Sequence, residues 1–171
     1  KQALDTSNKQ IKKLNITEEN FLSTFDELME QMDEAGVPAE GRTLFCTPHV
    51  KRMIKNIKQF GRTVNIHGGG TTIDRSVGRL DDVTIETAIP SDRMKTLYNF
   101  TNGAKADGTA KQIQFFLIHI PCMAAPQKYE FVGLDQPSAS TSGNYLYYEQ
   151  SYDDVLLFNQ KHEGLAFVIS E

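Results

Sequence analysis

The apolar positions between Thr17 and Ala35 recur with the period of an α-helix. In the stretch ITEENFLSTFDELMEQMDEAGVP they fall on one helix face. They are Phe21, Leu22, Phe25, Leu28, Met29 and Met32. Thr17 is placed to cap the N-terminus, and Ile16 to staple onto the first apolar residue of the helix. Gly36, followed by Pro38, ends the helix. The pattern therefore predicts one continuous amphipathic helix.

A short strand and a second helix are predicted next. GRTLFCTP has the composition of a strand, and Thr47 then caps a helix whose first turn holds Pro48. The buried face of this helix is Val50, Met53, Ile54 and Ile57. Gly61 is expected to end it.

From Thr63 onward the apolar period changes to two, which is typical of half-buried strands. The segments are TVNI, VTIETAI, QIQFFLIHI, KYEFVGL, YLYYEQSYDDVLLFNQ and LAFVIS. Residues 1–14 show little periodicity and are expected to form a loose lead-in. Helices early and strands late, without βαβ alternation, predict an α+β fold with a mostly antiparallel sheet.

Composition narrows the function classes. The chain has 171 residues, which is the size of about one domain, with 39% hydrophobic and 23% charged residues. Its net charge of −4 argues against broad nucleic-acid binding, which needs a positive field. No stretch has the ~20 apolar residues that cross a bilayer. Cys46 and Cys122 are expected to be reduced core thiols, which indicates folding in a reducing cytoplasm.

Candidate catalytic chemistry centres on a histidine followed by three glycines, His67 to Gly70. Such glycines supply oxyanion-hole amides in some esterases, but the nearest nucleophile candidate, Ser76, lies in DRSVG, which lacks the first glycine of the Gly-x-Ser-x-Gly turn. Cys46 with His49 lacks an orienting third group. Asp81 and Asp82 are neighbours on an expected strand and so point to opposite faces. The pattern predicts no enzyme.

No cofactor or metal site is predicted either. The four histidines are scattered, without the spacing of a zinc or iron site. The chain also has no phosphate-binding glycine motif of the P-loop or dinucleotide type.

The order of elements resembles the major capsid (coat) protein of tailed bacteriophages, from about Thr17 onward. The segments that carry the resemblance are TEENFLSTFDELMEQMDEAGVPAEGRTLFCTPHVKRMIKN, VGRLDDVTIETAIPSDRM, QIQFFLIHIPCMAAPQKYE and YLYYEQSYDDVLLFNQKHEGLAFVIS. The resemblance implies a spine helix within 1–41, an axial lobe over 42–163 and a C-terminal strand, 164–171, that returns to the peripheral lobe. The family's N-terminal arm and extended loop have no counterpart here, so the chain is expected to be a C-terminal portion.

The implied function is that of a structural subunit of an icosahedral phage or prophage capsid. It would assemble with copies of itself into hexamers and pentamers in the bacterial host cytoplasm and end up in the virion. Other virion proteins are further expected partners; packaged DNA would be contacted only non-specifically, and no membrane is expected. In this interpretation Gly68 to Gly70 form a mobile loop of the axial lobe.

The candidate subunit contacts are polar residues and the glycine loop: Lys51, Lys55, Lys58, His67, Gly68, Gly69, Gly70, Asp81 and Asp82. The basic helix holding Lys51 to Lys58 is expected to meet acidic patches such as Asp81 and Asp82 of a neighbour.

Two other functions remain open at this stage. A small enzyme or ligand-binding domain would use the loop from His67 to Gly70 with Ser76 or Cys46. A peptide-binding adhesion module would use a tyrosine cluster, and exposed tyrosine side chains would favour it. These tyrosines are Tyr145, Tyr147, Tyr148 and Tyr152. Packing between strands is the plainer expectation for them.

Overall fold

The computed structural model describes residues 10–57, 63–67, 70–74, 76–101, 103 and 105–171. The helices are α1 (Phe21–Glu34) and α2 (Pro48–Asn56). The strands are β1 (Ile11–Lys13), β2 (Arg42–Cys46), β3 (Thr63–His67), β4 (Gly70–Asp74), β5 (Arg79–Leu80), β6 (Val83–Ile85), β7 (Tyr98–Asn99), β8 (Lys105–Ala106), β9 (Ile113–His119), β10 (Met123–Ala124), β11 (Gln127–Asp135), β12 (Leu146–Asp153), β13 (Leu156–Leu157) and β14 (Leu165–Ile169). Short 3-10 helices span Ser91–Arg93, Ile120–Cys122 and Asn159–Gly164.

A six-stranded mixed sheet in the order β1-β14-β9-β2-β6-β5 forms the body of the molecule. Its β1/β14 and β2/β6 pairs are parallel, and the other neighbours are antiparallel. Four two-stranded antiparallel sheets accompany it: β3/β4, β7/β8, β10/β13 and β11/β12. The predicted α+β class and the predominance of antiparallel pairing are confirmed.

Helix α1 is confirmed, but it begins at Phe21 rather than directly after Thr17. Thr17 and Asn20 instead cap each other in the preceding turn: Thr17 N donates to Asn20 Oδ1 (2.7 Å) and Asn20 N donates to Thr17 Oγ1 (3.3 Å). At the other end, Gly36 N donates to Asp33 O and Val37 N to Met32 O, both at 2.9 Å. Gly36 has φ +72°, so this Schellman-type end needs a glycine.

The start of α2 is as predicted, and its end is earlier. Thr47 Oγ1 accepts from Val50 N (3.4 Å), and Pro48 occupies the first turn. The helix ends at Asn56, because Ile57 has extended backbone angles; Gly61, the predicted stop, lies outside the described residues. The predicted strand over Val83–Ile89 is also shorter, and only its first three residues pair as β6.

The apolar faces of α1 and α2 cover one side of the sheet and form the main core. Phe21, Phe25 and Leu28 have no exposed surface, and they share this core with Leu44 of β2 and Val168 of β14. The core thus draws on all three regions that the resemblance implies, and it marks no boundary between 41 and 42. That division remains a prediction.

The lead-in is more ordered than expected where it is described. β1 runs parallel to β14, and Gln114 holds the next residues: its Oε1 accepts from Ile16 N (2.9 Å) and its Nε2 donates to Leu14 O (2.5 Å). The buried side-chain amide of Gln114 therefore makes the backbone hydrogen bonds that a neighbouring strand would otherwise make just before α1. Because Gln114 is about one hundred residues away, no local pattern could reveal this contact.

Arg42 fixes the connection from α1 to β2. Its side chain is fully buried; Nη2 donates to Asp33 Oδ1 (2.6 Å) and Val37 O (2.5 Å), and Nε donates to Pro38 O (3.0 Å). Three oxygen acceptors and the sulfur of Met29, 3.7 Å from Nη1, surround one guanidinium, which offsets the cost of burying its charge. The orientation of the C-terminal end of α1 is set by this cluster.

Candidate self-association surface

The predicted basic contact residues lie on α2 with different surroundings. Lys51 is half-buried, and its Nζ donates to the backbone oxygen of Glu86 (2.9 Å). Lys55 is exposed, whereas Lys58 lies outside the described residues. Among the lysines of this set that the structure describes, Lys55 is thus the one that is exposed and whose side chain makes no hydrogen bond within the described part of the chain.

Asp81 and Asp82 occupy the turn between β5 and β6, so their placement on a strand is wrong. Leu80 pairs with Val83, and Asp81 takes φ 50°, a backbone conformation that aspartate tolerates better than most residues. Both carboxylates are exposed. They are accessible to a neighbour, and their predicted contact with a basic helix remains a prediction.

The histidine and glycine stretch forms part of a hairpin. β3 pairs antiparallel with β4, and His67 stands opposite Gly70. Gly70 therefore belongs to a strand and not to the loop predicted for Gly68 to Gly70, while Gly68 and Gly69 lie outside the described residues.

The thiol version of the catalytic alternative meets an electrostatic obstacle. Cys46 is fully buried in the main core, and burial raises the pKa of its thiol to about 11, although the charge of Lys51 opposes the shift. A protonated thiol is a poor nucleophile. His49 is exposed, with its Nδ1 3.3 Å from Arg52 Nη2. Cys122 is a second buried free cysteine, and burial also raises its pKa.

Other chemistry is sparse where the chain is described. Ser76 is exposed just after β4. Within the described ranges, no three histidine, cysteine, aspartate or glutamate side chains converge as metal ligands. The helices there are too short or too polar to cross a membrane.

The β11/β12 hairpin, here called the ribbon (residues 127–153), carries the tyrosine cluster for which the sequence left open a peptide-binding function. Its strands pair in register from Gln127 with Asp153 to Asp135 with Leu146, with one irregularity near Tyr129. β10 and β13 pair at its base, next to a small second core around Cys122. At about 3.3 Å per residue, the nine residues of β11 extend roughly 30 Å.

Apolar side chains cover the ribbon and are exposed. Nine aromatic or aliphatic side chains each show between 41% and 66% of their surface. They are Tyr129, Phe131, Val132, Leu134, Tyr145, Leu146, Tyr147, Tyr148 and Tyr152. Apart from the half-buried Gly133 of β11, every residue of β11 and β12 is classed as exposed. Exposed apolar patches of this kind mark interaction sites.

One face of the ribbon is predominantly aromatic. Residues directly opposite each other in antiparallel strands share a face, and the alternate positions of β11 place Tyr129, Phe131 and Gly133 on one side. The Phe131 and Tyr148 ring centroids are 5.6 Å apart, and those of Tyr129 and Phe131 are 6.5 Å apart. The Tyr148 ring lies over Gly133, where an added Cβ would come within 2.3 Å of it.

The accessible surface of the chain is large for its length. The accessible area is 11782 Å², whereas a compact monomer of 171 residues exposes roughly 8,400 Å². An isolated two-stranded hairpin is marginally stable in water. A long apolar ribbon is therefore expected to be covered in the functional state.

Sequence reasoning located both strands of the ribbon, expected its tyrosines to pack between strands and kept their exposure as the alternative; the structure has them exposed. The alternation in KYEFVGL and YLYYEQSY predicts strands correctly. One available signal was that apolar side chains occur on both faces of these strands, with no further strand or helix predicted to cover the second face.

Comparisons with known proteins provide no assignment: no family model matches the chain, and no curated protein matches it significantly.

Proposed function

We propose that this chain is a structural subunit that assembles with copies of itself, as the coat proteins of tailed bacteriophages do, within a phage or prophage capsid. The observation that carries the proposal is the ribbon, whose apolar side chains are exposed along both strands. Many modest contacts repeated by symmetry close a shell, and a long apolar arm supplies one such contact from each copy. The resemblance in element order supports the same function.

The absence of an assembled nucleophile in the main core agrees with a structural function. Burial raises the pKa of Cys46 to about 11, so its thiolate is even rarer at neutral pH than that of an ordinary cysteine. The alternative of an enzyme that uses His67 to Gly70 with Ser76 stays a prediction. Specific, competable labelling by an esterase probe would favour it.

The test is electron microscopy of the gene product that contains this sequence. Closed shells or rings are expected. A Phe131→Ala, Tyr148→Ala double variant removes two aromatic side chains from the ribbon and is expected to reduce the assembled fraction roughly tenfold or more, because central aromatic contacts dominate interface energies. The matched control is Phe100→Ala, since Phe100 is 74% exposed but lies outside the ribbon. Unchanged assembly of the double variant would contradict the proposal.

A second candidate is favoured by the same exposed tyrosines: a peptide-binding adhesion module. Tyr145 and Tyr152 expose 66% and 64% of their surface, as that function requires. The two candidates differ in partner. A gene product that stays monomeric at every concentration, yet binds extended peptides through the ribbon, would favour the adhesion module over the capsid subunit.

A further inference from the structure

A cavity of about 400 Å³ lies beside the C-terminal half of α1. Glu30 and Glu34 of α1 line one side, Glu163 and Leu165 line another, and the side chain of Gln10 also lines it. This cavity, here called the acidic pocket, is separate from the ribbon and from the candidate contacts named by the sequence.

Gln10 gives the acidic pocket an unmet hydrogen-bonding requirement. The residue is only 6% exposed; its Nε2 donates to His162 O (2.8 Å). Its Oε1 is the one buried side-chain atom in the described part of the chain that has no hydrogen-bond partner. Buried acceptors without partners cost free energy, so a donor is expected there.

The charges around the pocket specify what kind of donor fits. Glu30, Glu34 and Glu163 are all acidic, and among the described lining residues there is no lysine or arginine. Glu30 and Glu34 are four residues apart on α1 and therefore lie close together, where like charges repel. A cationic nitrogen group would relieve this repulsion and donate to Gln10 Oε1.

The subunit presents such cations on α2. The helix sequence PHVKRMIKN contains no acidic residue, and Arg52 and Lys55 are exposed. The sequence of α1, FLSTFDELMEQMDE, contains acidic residues and no lysine or arginine. One helix is therefore acidic and the other basic.

The two surfaces are separated within one subunit. Asn56, at the end of α2, donates to Glu18 just before α1, whereas the acidic pocket adjoins the other end of α1. At 1.5 Å rise per residue, the 14 residues of α1 span about 20 Å, which is beyond the reach of a lysine side chain. The exposed cations of α2 therefore do not reach the acidic pocket of their own subunit.

We propose that the acidic pocket receives the side chain of Lys55 or Arg52 from α2 of a second copy. The contact joins two different patches and is therefore heterologous, the kind that forms a ring when the rotation between successive copies closes. This inference rests on the proposed function and adds the pairing that orders the copies. It also differs from the predicted pairing of the basic helix with Asp81 and Asp82.

The experiment is a charge swap in the gene product, measured by sedimentation velocity and electron microscopy. Glu34→Lys alone and Lys55→Glu alone are each expected to reduce ring or shell formation about tenfold. The double variant, which restores opposite charges, is expected to recover most of it. Glu19→Lys is the matched control, because Glu19 is exposed before α1 and does not line the pocket.

Three outcomes would overturn the inference. Normal assembly of Glu34→Lys removes the pocket from the interface and leaves the proposed function standing. Rescue of Lys55→Glu by Asp82→Lys, and not by Glu34→Lys, assigns the basic helix to the β5/β6 turn instead. A wild-type product that never assembles overturns both the inference and the proposed function.

Discussion

The body of this molecule and its ribbon are built from similar strands but bury their side chains differently. In the body, Phe25, Leu44 and Phe115 have no exposed surface, because two helices cover the sheet. In the ribbon, Phe131 and Leu134 expose 43% and 60%. The difference teaches that a hydrophobic pattern of period two predicts a strand without telling whether the same chain covers it.

The two regions also differ in what stabilises them. The body buries its apolar surface within one subunit, and that burial is the dominant favourable term in folding. The ribbon gains chiefly from its backbone ladder and cross-strand pairs, which contribute less than 1 kcal/mol each as an order of magnitude. We expect the ribbon to gain more stabilisation than this on assembly, when a neighbouring copy covers its apolar side chains.

The largest expected effect comes from removing one phenyl ring in each region. Phe25→Ala is expected to lower the free energy of unfolding by about 3–5 kcal/mol, because it leaves a cavity in a packed core. Phe131→Ala is expected to lower it by less than about 1 kcal/mol, because its ring is partly exposed and packs only within the ribbon. Urea unfolding of both variants measures the difference. Equal losses would mean that the ribbon is part of the core.

A smaller effect, confined to the body, is expected from alkaline titration. An unfolded Cys46 thiol ionises near its ordinary value of 9.0, whereas in the folded chain burial raises its pKa to about 11. Between these values the unfolded state has lost a proton that the folded state keeps, so stability falls as pH rises. The slope is up to about 1.4 kcal/mol per pH unit.

Denaturant unfolding between pH 8 and pH 11 checks this prediction. Cys46→Ala is the comparison, since it removes the thiol. Its free energy of unfolding is expected to fall less steeply with pH than that of the wild type, by the contribution of Cys46. The ribbon contains no cysteine, so it does not contribute to the difference in slope between the wild type and Cys46→Ala. Identical slopes in the two proteins would show that Cys46 is not protected by burial.

The smallest effect is expected from Gly133→Ala, which alters the ribbon alone. The new methyl group would come within 2.3 Å of Tyr148, so the ring must move off the aromatic face. Unfolding of the body is expected to change by less than about 0.5 kcal/mol. Amide exchange along the ribbon is expected to become faster, as measured by NMR.

Gly108→Ala is the matched control for this change, because an added Cβ there meets nothing within 4 Å. Unaltered Tyr148 resonances in Gly133→Ala would contradict the close packing of ring and glycine.

Much of the fold follows from local patterns, since local chemistry determines it. The end of α1 needs Gly36 at positive φ, and Thr47 with Pro48 starts α2, so residue types alone identify both places. The features that the sequence did not predict depend on contacts between residues far apart in the chain. β1 depends on β14, and the cap on Leu14 and Ile16 depends on Gln114, none of which is near in sequence.

The candidate surface was predicted less well than the fold. Charge runs identify Lys55 as exposed, but the tyrosines gave no sign of their exposure, because the same alternation suits packed and open strands. The acidic pocket could not be predicted either. It combines Gln10, two α1 glutamates and Glu163, which only the folded chain brings together.

The burial of Arg42 has a consequence for any subunit contact near α1. Its guanidinium joins Asp33, Val37 and Pro38 without exposing a single side-chain atom, so no neighbouring molecule can touch it. Of the α1 carboxylates, Asp33 is the one that this buried guanidinium holds, so substitutions elsewhere on the outer face of α1 leave the anchor in place. A lysine in its place would lack the planar fork with which one guanidinium reaches Asp33, Val37 and Pro38 together.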